Sequence, residues 1–224
     1  MSEHKKLKNL AEIENSIIMK YEYMSKESKH LLVGISGIDA SGKSTCANYL
    51  ENSLREKGIP CFIISGDDFF FKRKVRYANP NGAIGYYQES CNYKNLFEEL
   101  LIPLKKSKQS FRKIIKIVDW KTDTDVEREY CFQQPSVIIV EGVFLFKKGF
   151  SDVFDYKIWM DLSFRKGVKR AMRRERDIIH YGSAHRVKER YINRLYRAQL
   201  IHLKQDKPYE VCHTIVTEAI SEGV

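Results

Sequence analysis

The chain has 224 residues, enough for one domain with a full α/β core. At 43% hydrophobic and 30% charged residues it does not read as a disordered chain, and no apolar run nears the roughly 20 residues that span a bilayer. A formal net charge of +10 points to anionic partners, whether nucleotides, phosphorylated metabolites or nucleic acid.

The first 30 residues carry Leu7, Leu10, Ile13, Ile17, Ile18, Tyr21 and Met24 at helical spacing. They are expected to form an amphipathic helix, an extension packed on a domain that runs from 31 to 224. This stretch is polar, with charges of both signs, unlike a secretory signal. Five cysteines are scattered at 46, 61, 91, 131 and 212 with no CxxC pair. They suit reduced thiols in a cytoplasmic protein better than a disulfide frame or a zinc site.

Leu31 to Ile35 reads as a buried strand, and a helix is expected from Thr45 to about Lys57. Between them lies Gly37-Ile38-Asp39-Ala40-Ser41-Gly42-Lys43-Ser44-Thr45, the spacing of a phosphate-binding P-loop. Glycines let successive backbone N–H groups turn inward, and the helix adds its positive N-terminal end. The backbone of Gly37, Asp39, Ala40, Ser41, Gly42 and Thr45 would therefore cradle ATP phosphates. Lys43 would reach the β- and γ-phosphates, and the Ser44 hydroxyl would hold Mg²⁺.

A second strand, Pro60 to Ser65, ends in Asp67 and Asp68, where ligands bind in open α/β sheets. Arg73 to Tyr93 reads as a loop whose pair Tyr86-Tyr87 could stack on a ring or cover the core edge. A helix is expected over Tyr93 to Leu104, then a strand or half-hairpin over Phe111 to Trp120, then an unassigned polar stretch to Asp125. Val137 to Gly142 is a third strand, and Glu141 at its end is a candidate for the Mg²⁺ shell. Further strands are expected at Tyr156 to Asp161 and His213 to Thr217. Strands alternating with helical patterns predict a three-layer fold, a central parallel sheet with helices on both faces.

Residues 165–176 hold seven basic side chains against the single acid Glu175. They predict one basic helix facing an anion, with the ATP phosphates nearest. A helix from Arg186 to Leu203 should turn Tyr191, Leu195 and Leu203 to the core.

In order and spacing, the P-loop, Asp67-Asp68-Phe69-Phe70, Val140-Glu141-Gly142 and Arg173-Arg174-Glu175-Arg176-Asp177 resemble the uridine kinase-like branch of the P-loop kinases. That branch also holds phosphoribulokinase, pantothenate kinase and nicotinamide riboside kinase. The likeness covers roughly residues 31–218. It implies Asp67 as general base, also placed near the metal, and Phe70 as a substrate-facing aromatic. It further implies Glu141 in the Mg²⁺ shell and a lid around 165–185 bearing Arg173 and Arg176. Asp68, Tyr86, Tyr87 and Asp123 join Phe70 as candidate substrate contacts.

Two stretches depart from that pattern. Cys91-Asn92-Tyr93-Lys94 lacks the Asp-His-Pro of uridine kinases, and Asp123 stands where their base-reading His would be. An ionised carboxylate accepts but cannot donate a hydrogen bond, so the base recognised can differ. The resemblance implies transfer of the γ-phosphoryl group of ATP to a small-molecule hydroxyl, foremost the 5′-hydroxyl of a nucleoside such as uridine. Nicotinamide riboside, pantothenate and a sugar phosphate are the alternatives. The +10 charge leaves an ATP-dependent nucleic-acid-binding protein as the less favoured alternative, since the basic cluster is confined mainly to one predicted helix and no nucleic-acid-binding signature is evident. A membrane is not expected, and self-association stays open.

Overall fold

Short apolar runs with little polar alternation suit strands covered on both faces, and here they build one parallel sheet. The computed structural model describes residues 7–119 and 122–217. Helix α1 (Leu10–Lys26) starts at a capping box: Asn9 Oδ1 accepts from the Glu12 N–H at 2.9 Å, and Glu12 Oε2 accepts from the Asn9 N–H at 2.9 Å. Strand β1 (Leu31–Gly37), buried throughout, runs into the P-loop and helix α2 (Lys43–Glu56). Strand β2 (Cys61–Ser65) ends in a 3₁₀ turn, Gly66–Phe69.

Residues 73–93, expected as a loop, instead hold α3 (Arg73–Arg76) and α4 (Gly82–Glu89). The Asn81-Gly82 pair that suggested a turn is a helix start, because Asn81 Oδ1 accepts from the N–H groups of Ala83 and Ile84. A wide π-type segment, Lys94–Leu101, passes into α5 (Ile102–Lys106). Strands β3 (Phe111–Asp119) and β4 (Thr124–Phe132) form a separate antiparallel hairpin. The expected strand is thus one arm of a hairpin; of the unassigned stretch that follows it, residues 120 and 121 lie outside the described residues.

Strands β5 (Val137–Gly142) and β6 (Tyr156–Met160) flank β1. The predicted single basic helix is two: α6 (Phe164–Ala171) and α7 (Glu175–Tyr181), with Arg174 extended between them. Helix α6 already stacks Lys166 on Arg170; one continuous helix would add Lys169 on Arg173 and Arg170 on Arg174, and like charges four residues apart destabilise a helix. Helix α8 (Ala184–Arg190), a π-type turn at Tyr191–Leu195 and α9 (Tyr196–Gln205) follow. The described chain closes with α10 (Pro208–Val211) and β7 (Thr214–Val216).

The sheet order is β2-β5-β1-β6-β7, all parallel. Its two faces bury separate apolar clusters, as a three-layer α/β fold requires. One holds Phe97, Leu100, Phe144 and Trp159. The other joins Leu50 and Leu54 of α2 to Ile13 and Ile17 of α1, both 0% exposed. Helix α1 therefore supplies part of the core on that face. Ile17→Ala should lower unfolding free energy by about 2–5 kcal/mol, the usual cost of a buried large-to-small change. A urea transition left where it was would show α1 to be an independent appendage.

The register also builds the site. Glu141 pairs with Ile35 on one side and with Ser65 on the other. Its carboxylate is thereby set between the P-loop strand and the strand that leads to Asp67.

Candidate active site

The loop after β1 has the geometry of an anion cradle. Gly42 caps α2 with φ +94°, a conformation that favours glycine. A Cβ on Gly37 would come within 2.7 Å of the Met160 carbonyl and 2.8 Å of Ser41 Oγ, so the loop closes only without one. The Ser41 hydroxyl is buried with no hydrogen-bond partner, as suits a donor aimed at a phosphate. Lys43 is 9% exposed and folds over the loop, donating to the carbonyls of Ile38 at 2.8 Å and Gly37 at 3.2 Å. Burial pulls its pKa down, while the Asp39, Glu141 and Asp67 carboxylates pull it up. The donor set fits a triphosphate.

Mg²⁺ fits as well. Glu141 accepts from Ser44 Oγ at 3.2 Å and from Ser65 Oγ at 3.0 Å, so hydroxyl and carboxylate meet at the mouth of the loop. Among the described residues no group of three or more His, Cys, Asp or Glu could hold a metal by itself. Mg²⁺ seldom needs one, since it binds through one or two protein oxygens plus substrate phosphates.

Asp67 is the second residue of the 3₁₀ turn after β2 and lines the same cleft. Its side chain is open to the cleft, yet the walls crowd it enough to disfavour its charge. That desolvation, with the neighbouring Glu141 and Asp39 carboxylates, pushes its pKa to about 6 against the pull of Lys43 and Arg176. A carboxyl poised there can exchange a proton near neutrality.

The remaining candidates separate by where their elements aim them. Phe70 and Tyr86 line the cleft. The Tyr86 hydroxyl donates to Asp39 Oδ1 at 2.9 Å, and Gln199 Nε2 donates to Asp39 Oδ2 at 3.1 Å, which ties the P-loop to α4 and α9. Tyr87, one residue on, faces away: its hydroxyl donates to Asp206 at 2.5 Å, and Lys147 Nζ sits 3.9 Å from its ring centroid. Asp68 pairs with Arg128 on the hairpin and does not line the cleft. Asp123 does not either; it accepts from the Arg73 N–H at 2.8 Å and so anchors the hairpin turn to α3.

Of the lid arginines, Arg176 lines the cleft and Arg173 is exposed outside it. Arg174, held 3.4 Å from Asp177, points inward instead. Arg76, Tyr77, His180, Arg190 and Arg194 line the far end and were not singled out from the sequence. The one signal for them was the i, i+4 spacing of Arg190 and Arg194 beside Tyr191 and Leu195. A second recess lies on the other side of the loop, among Thr45, Met160, Asp161, Arg170 and Val216.

Comparison with known proteins agrees with this geometry. The model of the phosphoribulokinase/uridine kinase family matches residues 32–198. A uridine kinase of Leuconostoc citreum (strain KM20) is 26% identical over 155 residues, 69% of this chain and 71% of that protein. A uridine kinase of Macrococcus caseolyticus (strain JCSC5402) is 27% identical over 136 residues, 60% and 63% of the two chains. A possible uridine kinase from Bacillus stearothermophilus superposes with a TM-score of 0.66 at 25% identity, covering 90% of this chain and 99% of that one. A candidate fructose transport system kinase from Silicibacter sp. TM1040 gives a TM-score of 0.71 at 21% identity over 94% and 99% of the chains, a likeness of fold alone. No described helix is long and apolar enough to cross a membrane. The chain belongs to the phosphoribulokinase/uridine kinase family, and is thus a P-loop kinase, a phosphotransferase.

Proposed function

We propose that the protein transfers the γ-phosphoryl group of ATP to a hydroxyl of a small metabolite. The observation that carries this reading is a single cleft lined by Lys43, Asp67, Arg174 and Arg176. Asp67 takes the proton of the acceptor hydroxyl as its oxygen bonds to the γ-phosphorus. The bond between that phosphorus and the β,γ-bridging oxygen breaks, and ADP leaves. Lys43, Arg174 and Arg176 stabilise the charge spread over the group in flight. Positioning and electrostatics dominate such transfers. Mg²⁺, held through Ser44 and Glu141 when bound, would neutralise charge on the phosphates. The recess beside Thr45 and Arg170 would take the nucleotide's base.

The named relatives support the 5′-hydroxyl of a nucleoside such as uridine as the acceptor. The assay is ADP release from Mg-ATP in the presence of uridine, nicotinamide riboside, pantothenate or ribulose 5-phosphate. Release that no acceptor accelerates would remove the reading. The pH dependence offers a second check, because Asp67 must be ionised to accept the proton. Its pKa of about 6 predicts that kcat/KM for the first substrate to bind, which reports the free enzyme, climbs up to about pH 6 and is level above it. A profile flat down to pH 5 would remove Asp67 as the base.

A further inference from the structure

The two ends of the cleft differ in charge. Near the P-loop, Lys43, Arg174 and Arg176 lie among the carboxylates of Asp39, Asp67, Glu141 and Asp177. At the far end Arg76, Arg190 and Arg194 converge on one ring, with guanidinium carbons 5.7, 4.8 and 4.1 Å from the Tyr77 centroid. Among the described residues none of the three forms an ion pair.

Arg194 is the most committed. It is 6% exposed, its Nε has no hydrogen-bond partner, and one terminal nitrogen donates to the Arg76 carbonyl at 2.6 Å. Arg76 Nε is likewise buried without a partner. Tyr77 reports the field these groups make. Burial alone would raise its phenol, yet the hydrogen bond from Arg190 and the charges of Arg190, Arg194 and Arg76 hold it below the usual tyrosine range. A neutral ring is a weak counter-charge for three guanidiniums, whose planar forks match carboxylate or phosphate oxygens.

We propose that Arg76, Arg190 and Arg194 seat an acidic group carried by the phosphoryl acceptor, so that the acceptor is a hydroxylated compound with a carboxylate or phosphate of its own. The proposal rests on the kinase reading above and narrows its acceptor: a nucleoside qualifies when it bears such a group. The hydroxyl then meets Asp67, the acid meets the arginines, and Phe70 and Tyr86 wall the space between.

The test uses matched acceptors that differ in one acidic group: D-glycerate and glycerol, ribulose 5-phosphate and ribulose, pantothenate and pantothenyl alcohol, orotidine and uridine. ADP release is measured for each on the full chain. Calorimetry then measures binding of each acid in the presence of a non-hydrolysable ATP analogue. In at least one pair the acid should win by about 10²-fold or more in kcat/KM, because its neutral twin leaves the site's buried polar groups unpaired. Arg194→Met should collapse that ratio while the KM for ATP stays within about twofold, as expected where lost contacts touch only one substrate. Arg190→Met, at a half-buried position, repeats the test should the buried change unfold the protein. An acid that binds in an arginine-dependent way without ADP release would uphold the subsite and sink the kinase reading. A neutral twin used as well as its acid would overturn the subsite and leave the kinase reading standing. The subsite also falls if no acid binds, or if the variants shift the KM for ATP and spare the acid-to-neutral ratio.

Discussion

Asp67→Asn should lower kcat by about 10²–10⁴, the range that a positioned general base supplies, with ATP affinity little changed. Asparagine keeps the size and one acceptor oxygen of the carboxylate but cannot hold the proton of the attacking hydroxyl. The change also removes a negative charge that Glu141 opposes, so nucleotide binding loses nothing by it. Nucleotide titration of the variant, followed by single-turnover ADP formation, separates binding from chemistry. Undiminished turnover would mean that the hydroxyl loses its proton elsewhere.

Lys43→Met should cost about 10²–10³ in kcat, the usual loss on removing one preorganised charge-stabilising donor, and should weaken ATP binding as well. Lys43 is buried against the loop carbonyls, where no solvent cation substitutes for it. The variant carries a second, independent signature. Lys43 is the first of the cations that hold down the Asp67 pKa, so its loss moves that pKa above about 6. The acidic limb of the residual activity should then shift to higher pH. Loss of rate with an unmoved limb would separate Lys43 from Asp67.

Local patterns made the P-loop end of this cleft readable in the sequence. Gly37 to Thr45 is contiguous, so its strand, loop and helix follow from neighbouring residues alone. Asp67 and Glu141 each end an apolar run, and a polar group at the end of a buried parallel strand has few places to go but the ligand crevice. The three-layer fold followed from the same alternation of strands and helices.

The rest of the cleft was not readable in this way, and the reasons are geometric. Tyr86 and Tyr87 are equivalent as letters, but consecutive helical residues project about 100° apart, so one enters the cleft and the other bonds Asp206. Arg174 rather than Arg173 enters the cleft because the basic stretch breaks after Ala171 and Arg174 is extended between two helices, an orientation set by how those helices dock. Asp123 sits in the predicted substrate stretch, yet the hairpin carries it to the Arg73 backbone. Arg76, Arg190 and Arg194 come from segments more than 100 residues apart in the chain and meet only when α3 packs near the α8–α9 junction. The sequence by itself determined the fold, through the alternation of strands and helices along the chain, and the P-loop, because that is one short contiguous motif. Which side chains line the rest of the cleft was decided by tertiary packing, because it depends on the rotation and docking of helices that no local pattern specifies.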